Sequence, residues 1–144
     1  MTPFVVGREY RLHLTCRPPK KKGLLPWIGV QMSRTGGEYR QVSGKVDTGS
    51  PCTILNYDAA RDLGIAHPGD SPGRTGLGRT ATGDAFEYHI HDVWVRIEDQ
   101  AGARIEFPLE AGFSPDVRNN LFGLDWLQHL CLAVDGEAVH LLQD

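Results

Sequence analysis

The chain has 144 residues and a mass of 15.9 kDa, is 40% hydrophobic and 23% charged, and carries a net charge of −3 with a pI near 6.0. That is enough apolar material for one globular core and too little chain for a multidomain enzyme. The acidic balance gives no electrostatic reason to expect nucleic acid, and no apolar run approaches the roughly 20 residues of a membrane helix, so no membrane partner is expected. Seventeen glycines, nine prolines and a mean hydropathy of −0.31 read as a soluble, turn-rich chain. The first residues hold no basic segment followed by a sustained apolar stretch, which makes a cytoplasmic location the expectation. Cys16, Cys52 and Cys131 are an odd number without paired CxxC spacing. They read as reduced thiols, not as a disulfide framework or a four-cysteine zinc site, and no metal or other cofactor is expected.

Along the chain, Tyr10, Leu12 and Leu14 alternate with Arg11 and His13, the period of a half-buried strand. Arg17-Pro18-Pro19-Lys20-Lys21-Lys22-Gly23 is the only dense basic run. Its prolines, its glycine and its lack of interleaved aromatic residues make it a solvated loop rather than a phosphate-binding patch. Residues 1–23 therefore form an N-terminal strand and loop ahead of a body at 24–144, within one globular domain. A strand is predicted over 24–32, a hairpin turn at Gly36-Gly37 and the returning strand over 38–46. Asn56 caps a short helix over 57–63, which Gly64 stops. Residues 67–84 are crowded with Gly, Pro, Ser and Thr and read as a mobile hairpin leading into a long strand over 85–97. Asp99-Gln100-Ala101-Gly102 turns the chain into a strand over 104–111. Residues 120–127 combine a buried apolar run with a helical start, and strands at 131–134 and 139–142 flank an Asp135-Gly136 turn. The sum is mainly β with two short helices.

The chemistry concentrates in Val46-Asp47-Thr48-Gly49-Ser50, between an apolar strand and the apolar run Thr53-Ile54-Leu55. A carboxylate followed by a hydroxyl and a glycine at a strand end sets the acid in a tight loop, which backbone amides and a second chain can approach closely. Asp, Thr and Gly also make ordinary turns, so the triplet gains meaning from the distal Leu121-Phe122-Gly123. Together they resemble the retropepsin-like aspartic proteases, single-domain relatives of the pepsins. The order of strands, Asp47-Thr48-Gly49-Ser50, a short helix ending Asp62-Leu63-Gly64-Ile65, a glycine-rich hairpin, a long strand and the 120–127 segment is similar to the bacterial members over roughly residues 28–142.

The resemblance implies an all-β, closed-barrel acid-protease fold with one or two short helices, active as a twofold dimer. It implies that Asp47 is the catalytic carboxylate, that Thr48 hydrogen-bonds across the twofold and that Gly49 presents its amide to the carboxylate. Leu121, Phe122 and Gly123 then pack beneath the loop. Peptide hydrolysis by carboxylates needs two close acids sharing one proton. The chain has one Asp-Thr-Gly, so the second acid is expected to be Asp47 of another copy, in a homodimer with one site. Ser50 stands where many relatives carry alanine; its hydroxyl is expected to donate to an outer carboxylate oxygen and to shift the pH profile to the acid side of Ser50→Ala. The stretch 76–83, with Gly76, Leu77, Gly78 and Arg79, is expected to be a flap closing over an extended peptide, with Gly76 and Gly78 as hinges and Leu77 lining the cleft. It lacks the double glycine of the viral enzymes, and Pro51 and Cys52 follow the motif where other small residues are common. Because such dimers commonly use terminal strands, 4–14 and 139–142 are candidates for the interface.

Other residues read more plainly. His89 and His91 share a strand face, but without an HExxH or a suitably spaced carboxylate they are structural. Cys52 has no histidine to activate it and is a small buried residue. Asp125 reads as a cap or pairing partner near Trp126 and Leu127, not as a second catalytic acid. Gly76-Leu77-Gly78 lacks a nucleotide-binding GxGxxG, and Trp27, Trp94 and Trp126 are core or interface anchors. The alternative from another class is a non-catalytic peptide- or protein-binding module on the same dimeric fold; a third reading is a protein that cleaves only its own precursor.

Overall fold

The structure, a computed structural model, describes residues 10–16, 27–70, 73–134 and 138–143. The basic loop at 17–23, the start of the strand expected over 24–32 and the Asp135-Gly136 turn lie outside the described residues. In chain order the strands are β1 (Leu12–Cys16), β2 (Trp27–Ser33), β3 (Arg40–Val46), β4 (Ile54–Leu55), β5 (Thr75–Arg79), β6 (Ala85–Glu98), β7 (Arg104–Phe113), β8 (Leu121–Phe122), β9 (Cys131–Val134) and β10 (Val139–Gln143). Helix α1 (Tyr57–Asp62) lies between β4 and β5, and 3-10 turns occupy Pro68–Asp70 and Leu124–Gln128.

Seven strands form one sheet in the order β2-β3-β8-β4-β7-β6-β5. Strand β2 also pairs with β6, Gln31 with Arg96, Met32 with Val95 and Ser33 with Trp94, so the pairings return on themselves as a ring, with β5 attached outside it. Period-2 alternation builds its interior: Val93, Val95 and Ile97 from β6 and Ile105, Phe107, Leu109 and Ala111 from β7 are buried, while their neighbours face out. Met32, Phe113, Phe122 and Trp126 complete the core.

The Asn56 side chain accepts the Ala59 N–H at 2.8 Å, and Gly64 stands just past the helix at φ +81, where a Cβ would be strained. The second expected helix is a 3-10 turn of five residues, Leu124–Gln128, with no side-chain cap. It is held instead by burial of Trp126, whose ring stacks on Phe122 at 4.7 Å.

A second sheet runs β1-β10-β9 and buries Leu12, Val139, Leu141 and Leu142. β10 lies in its middle, hydrogen-bonded on both edges within one chain, so it has no open edge for pairing with a partner strand. The outer strands of this sheet are β1 and β9. Among the described residues no helix is long and apolar enough to cross a membrane.

Candidate active site

The acidic loop begins where β3 leaves the sheet. Parallel pairing sets Lys45 beside Leu121 and Val46 beside Phe122, and the Asp47 N–H continues the ladder by donating to the Phe122 carbonyl at 2.9 Å. The chain then turns sharply: the Gly49 N–H donates to Asp47 Oδ1 at 2.9 Å and the Ser50 N–H to the Asp47 carbonyl at 3.1 Å. This is an Asx-type turn, the side chain standing in for a backbone acceptor. Asp47 is half-buried, whereas Thr48 and Gly49 are exposed, and the Thr48 hydroxyl has no hydrogen-bond partner among the described residues.

The second motif locks this loop from behind. A Cβ on Gly123 would fall 2.4 Å from the Cys52 carbonyl oxygen and 2.7 Å from that of Ser50, so only glycine permits the approach. The Leu124 N–H donates to the Ser50 carbonyl at 2.9 Å and the Gly123 N–H to Thr53 Oγ1 at 3.2 Å. Thr53, fully buried, gives its own N–H to Asp125 Oδ2 and its hydroxyl to Asp125 Oδ1, both at 2.8 Å. Burial pushes the Asp125 carboxyl above the usual range, and the two Thr53 donors work against that shift. Asp125 is thus a pairing residue, as its sequence context suggested. Ser50 departs from expectation: its hydroxyl donates to the Cys52 carbonyl at 2.6 Å, two residues on across Pro51, and that hydrogen is not offered to Asp47.

Strands β5 and β6 form a hairpin in which Gly76 faces Tyr88, Leu77 faces Glu87 and Gly78 faces Phe86. The Tyr88 and Phe86 rings lie over these glycines: a Cβ on Gly76 would fall 2.2 Å from the Tyr88 ring, and one on Gly78 2.5 Å from Phe86. Gly76 and Gly78 are therefore ladder positions that make room for aromatic rings; the left-handed glycine of the hairpin is Gly83, at φ +90. The Tyr88 hydroxyl hydrogen-bonds with Cys52 Sγ at 3.6 Å. That bond, helped by burial, pushes the Tyr88 phenol up to about 12, and burial also raises the Cys52 thiol. Leu77 is 78% exposed.

Loop and hairpin enclose a cleft of about 400 Å³. Asp47, Gly49 and Ser50 lie on one side of it, Leu77, Gly78 and Arg79 on the other, and Leu121 joins the lining. A larger groove of about 520 Å³, bordered by Arg34, Trp94 and His129, does not include Asp47.

The chain superposes on a retropepsin-like aspartic protease from Rickettsia conorii with a TM-score of 0.59 at 16% identity, over 91% of each chain. Its fold is that of the retropepsin-like aspartic proteases. It also aligns with the EIAV protease, solved with the inhibitor HBY-793, over 72% of this chain and 86% of that one, with a TM-score of 0.39 and 20% identity. No protein-family profile and no curated protein matches the chain.

Within this retropepsin-like fold, seven of the residues singled out in the sequence line one cleft: Asp47, Gly49, Ser50, Leu77, Gly78, Arg79 and Leu121. Thr48 stands on the exposed side of the loop, Gly76 lies beneath Tyr88, and Phe122 and Gly123 sit behind the loop. Sequence reasoning passed over Lys45, Phe86, Tyr88 and the 116–119 loop, which also line the cleft. The signal for Lys45 was available: it precedes Asp47 by two residues on a strand and so shares its face. His91 Nε2 lies 2.8 Å from the Pro68 carbonyl oxygen and its ring meets Phe113 edge-on. Among the described residues no three His, Cys, Asp or Glu side chains gather as a metal site.

Proposed function

We propose that the protein is an aspartic endopeptidase, active as a homodimer in which Asp47 of each copy supplies half of a single site. The observation that carries this reading is the loop itself: one Asp-Thr-Gly per chain, its carboxylate in a cleft beneath a hairpin, with Thr48 and Gly49 exposed at its tip. Two carboxylates brought together by a twofold axis cannot both ionise, so the pair holds one proton and titrates as a unit. The ionised member takes a proton from a water, which attacks the scissile carbonyl carbon, while the protonated member stabilises the developing oxyanion and returns a proton to the departing amine. The Gly49 N–H fixes the orientation of Oδ1, and the ladder and second-motif bonds hold the loop still while charge moves. An extended peptide between hairpin and loop pairs by its main chain, and closure of the β5–β6 hairpin over it excludes water.

The test is cleavage of a diverse peptide library, from about pH 3 to pH 8, by the wild type and by Asp47→Asn, with oligomeric state measured in each sample. Turnover by wild type and none by a mutant dimer supports the protease. Specific peptide binding by both without turnover would replace it with the binding module.

A further inference from the structure

Three cations from separate segments line the cleft without a carboxylate partner among the described residues, as Arg11, Arg34 and Arg40 also stand without one elsewhere on the surface. Arg61, Arg74, Arg96 and Arg104 each lie within ion-pairing distance of a carboxylate on the same chain. Lys45, Arg79 and Arg118 all line the cleft and none forms an ion pair among the described residues. The Arg79 guanidinium donates to the Gly83 carbonyl at 3.1 Å, a contact that orients it from the hairpin without neutralising it. Apart from Asp47, the carboxylate in the lining is Asp116; it and Arg118 also border the neighbouring groove with Tyr57 and Asp58.

Lys45 has the most defined position. It alternates with the buried Val46 on β3, stands half-buried on the same face as Asp47 and pairs in register with Leu121. It lines the same cleft as Asp47 and forms no ion pair among the described residues, so its ammonium is available to an occupant of that cleft. Arg79 comes from the hairpin and Arg118 from the 116–119 loop, so positive charge reaches the cleft from three separate segments. A water-poor cleft closed by a hairpin strengthens such interactions, and cations left without internal partners favour an anionic occupant.

Resting on the aspartic-protease reading of this cleft, we infer that the substrate is an acidic peptide, with an Asp or Glu side chain next to the scissile bond held by Lys45 and further acidic residues met by Arg79 and Arg118. In a twofold dimer the two Lys45 side chains flank the paired carboxylates, so the preference applies on both sides of the bond. Lys45 is then a specificity-determining residue.

The experiment uses peptides that differ only in Glu or Gln at the positions flanking the cleaved bond, assayed near pH 6, where glutamate is ionised. Wild type, Lys45→Met, Lys45→Glu and Arg79→Gln are compared, with Arg40→Gln as a charge-loss control outside the cleft. Binding of the same peptides to Asp47→Asn is followed by fluorescence anisotropy. The expected result is a Glu-over-Gln preference of about tenfold or more in kcat/KM, close to 1.4 kcal/mol, weakened by salt. It is abolished by Lys45→Met, turned toward basic peptides by Lys45→Glu, reduced by Arg79→Gln and retained in Arg40→Gln. Efficient cleavage without a Glu preference overturns the inference and leaves the protease intact. Lys45-dependent binding of acidic peptides with no cleavage by wild type overturns the protease and keeps the acidic ligand. Neither binding nor cleavage overturns both.

Discussion

Replacing Gly123 by alanine tests whether the second motif truly clamps the acidic loop. The added Cβ would fall 2.4 Å from the Cys52 carbonyl oxygen, 2.5 Å from its carbon and 2.7 Å from the Ser50 carbonyl oxygen, all main-chain atoms that cannot swing aside. Relief requires the loop and the 3-10 turn to separate by roughly an ångström, an overpacking cost of about 1–3 kcal/mol. The same separation stretches the bonds from the Leu124 N–H to Ser50 and from the Gly123 N–H to Thr53, each worth about 1 kcal/mol. The sum, about 3–5 kcal/mol, is a large part of the roughly 5–15 kcal/mol that stabilises a domain. A chain of this length loses about 3–5 °C in Tm per kcal/mol, so the melting point should fall by about 9–25 °C. Urea denaturation with an unchanged m-value gives the free energy directly. Gly64→Ala is the control: Gly64 has φ +81 but nothing within 4 Å of the place its new methyl group would take, so only backbone strain is at stake, about 1–2 kcal/mol. If Gly123→Ala costs no more than Gly64→Ala, the loop is not held by this contact and its positioning must be explained otherwise.

Three further outcomes follow from individual contacts. Asp125→Ala leaves the buried Thr53 N–H and hydroxyl without their acceptors and should cost about 2–3 kcal/mol in urea denaturation, with Asp125→Asn costing less because it returns one acceptor; equal losses in the two variants would show that the carboxylate's hydrogen bonds are not what matters. Cys52→Ala removes the main cause of the Tyr88 shift, so the phenol, read by ultraviolet titration against Tyr88→Phe, should move from about 12 toward its ordinary 10.0. Because the folded value is raised, the associated stability is present below about pH 10 and lost as pH climbs toward 12, a loss that Cys52→Ala should diminish; an unmoved titration would mean the thiol contact is not the cause. Ser50→Ala should leave the pH profile of cleavage in place and cost about 1 kcal/mol, because the hydroxyl serves the Cys52 carbonyl; a displaced pH optimum would instead indicate a hydroxyl–carboxylate bond.

Local signals carried much of the fold. Turn residues and the apolar runs between them set out β3, β6 and β7, Asn56 and Gly64 bounded α1, and the turn after β6 is built on Asp99, whose Oδ1 accepts the Ala101 and Ala103 N–H groups, with Gly102 at φ +88. What escaped was set by long-range pairing. The two-residue strand β8 has no period to detect, yet it carries the parallel ladder that fixes Asp47. The Thr53–Asp125 pair spans 72 residues, and neither side chain announces the other. Glycines alternating along β5 opposite Phe86 and Tyr88 on β6 serve as seats for rings, a role that only the register of the hairpin reveals. The capture of β10 between β1 and β9 likewise depends on partners distant in sequence.

Mixing subunits tests most directly whether two copies of Asp47 make one site. Wild type and Asp47→Asn, matched in total concentration and confirmed to exchange subunits, are combined in varied proportion and peptide cleavage is measured. A site that needs both carboxylates loses activity as the square of the wild-type fraction, so an equal mixture retains about a quarter. A linear decline, with about half retained, would mean that each chain holds a complete site and would contradict the shared one.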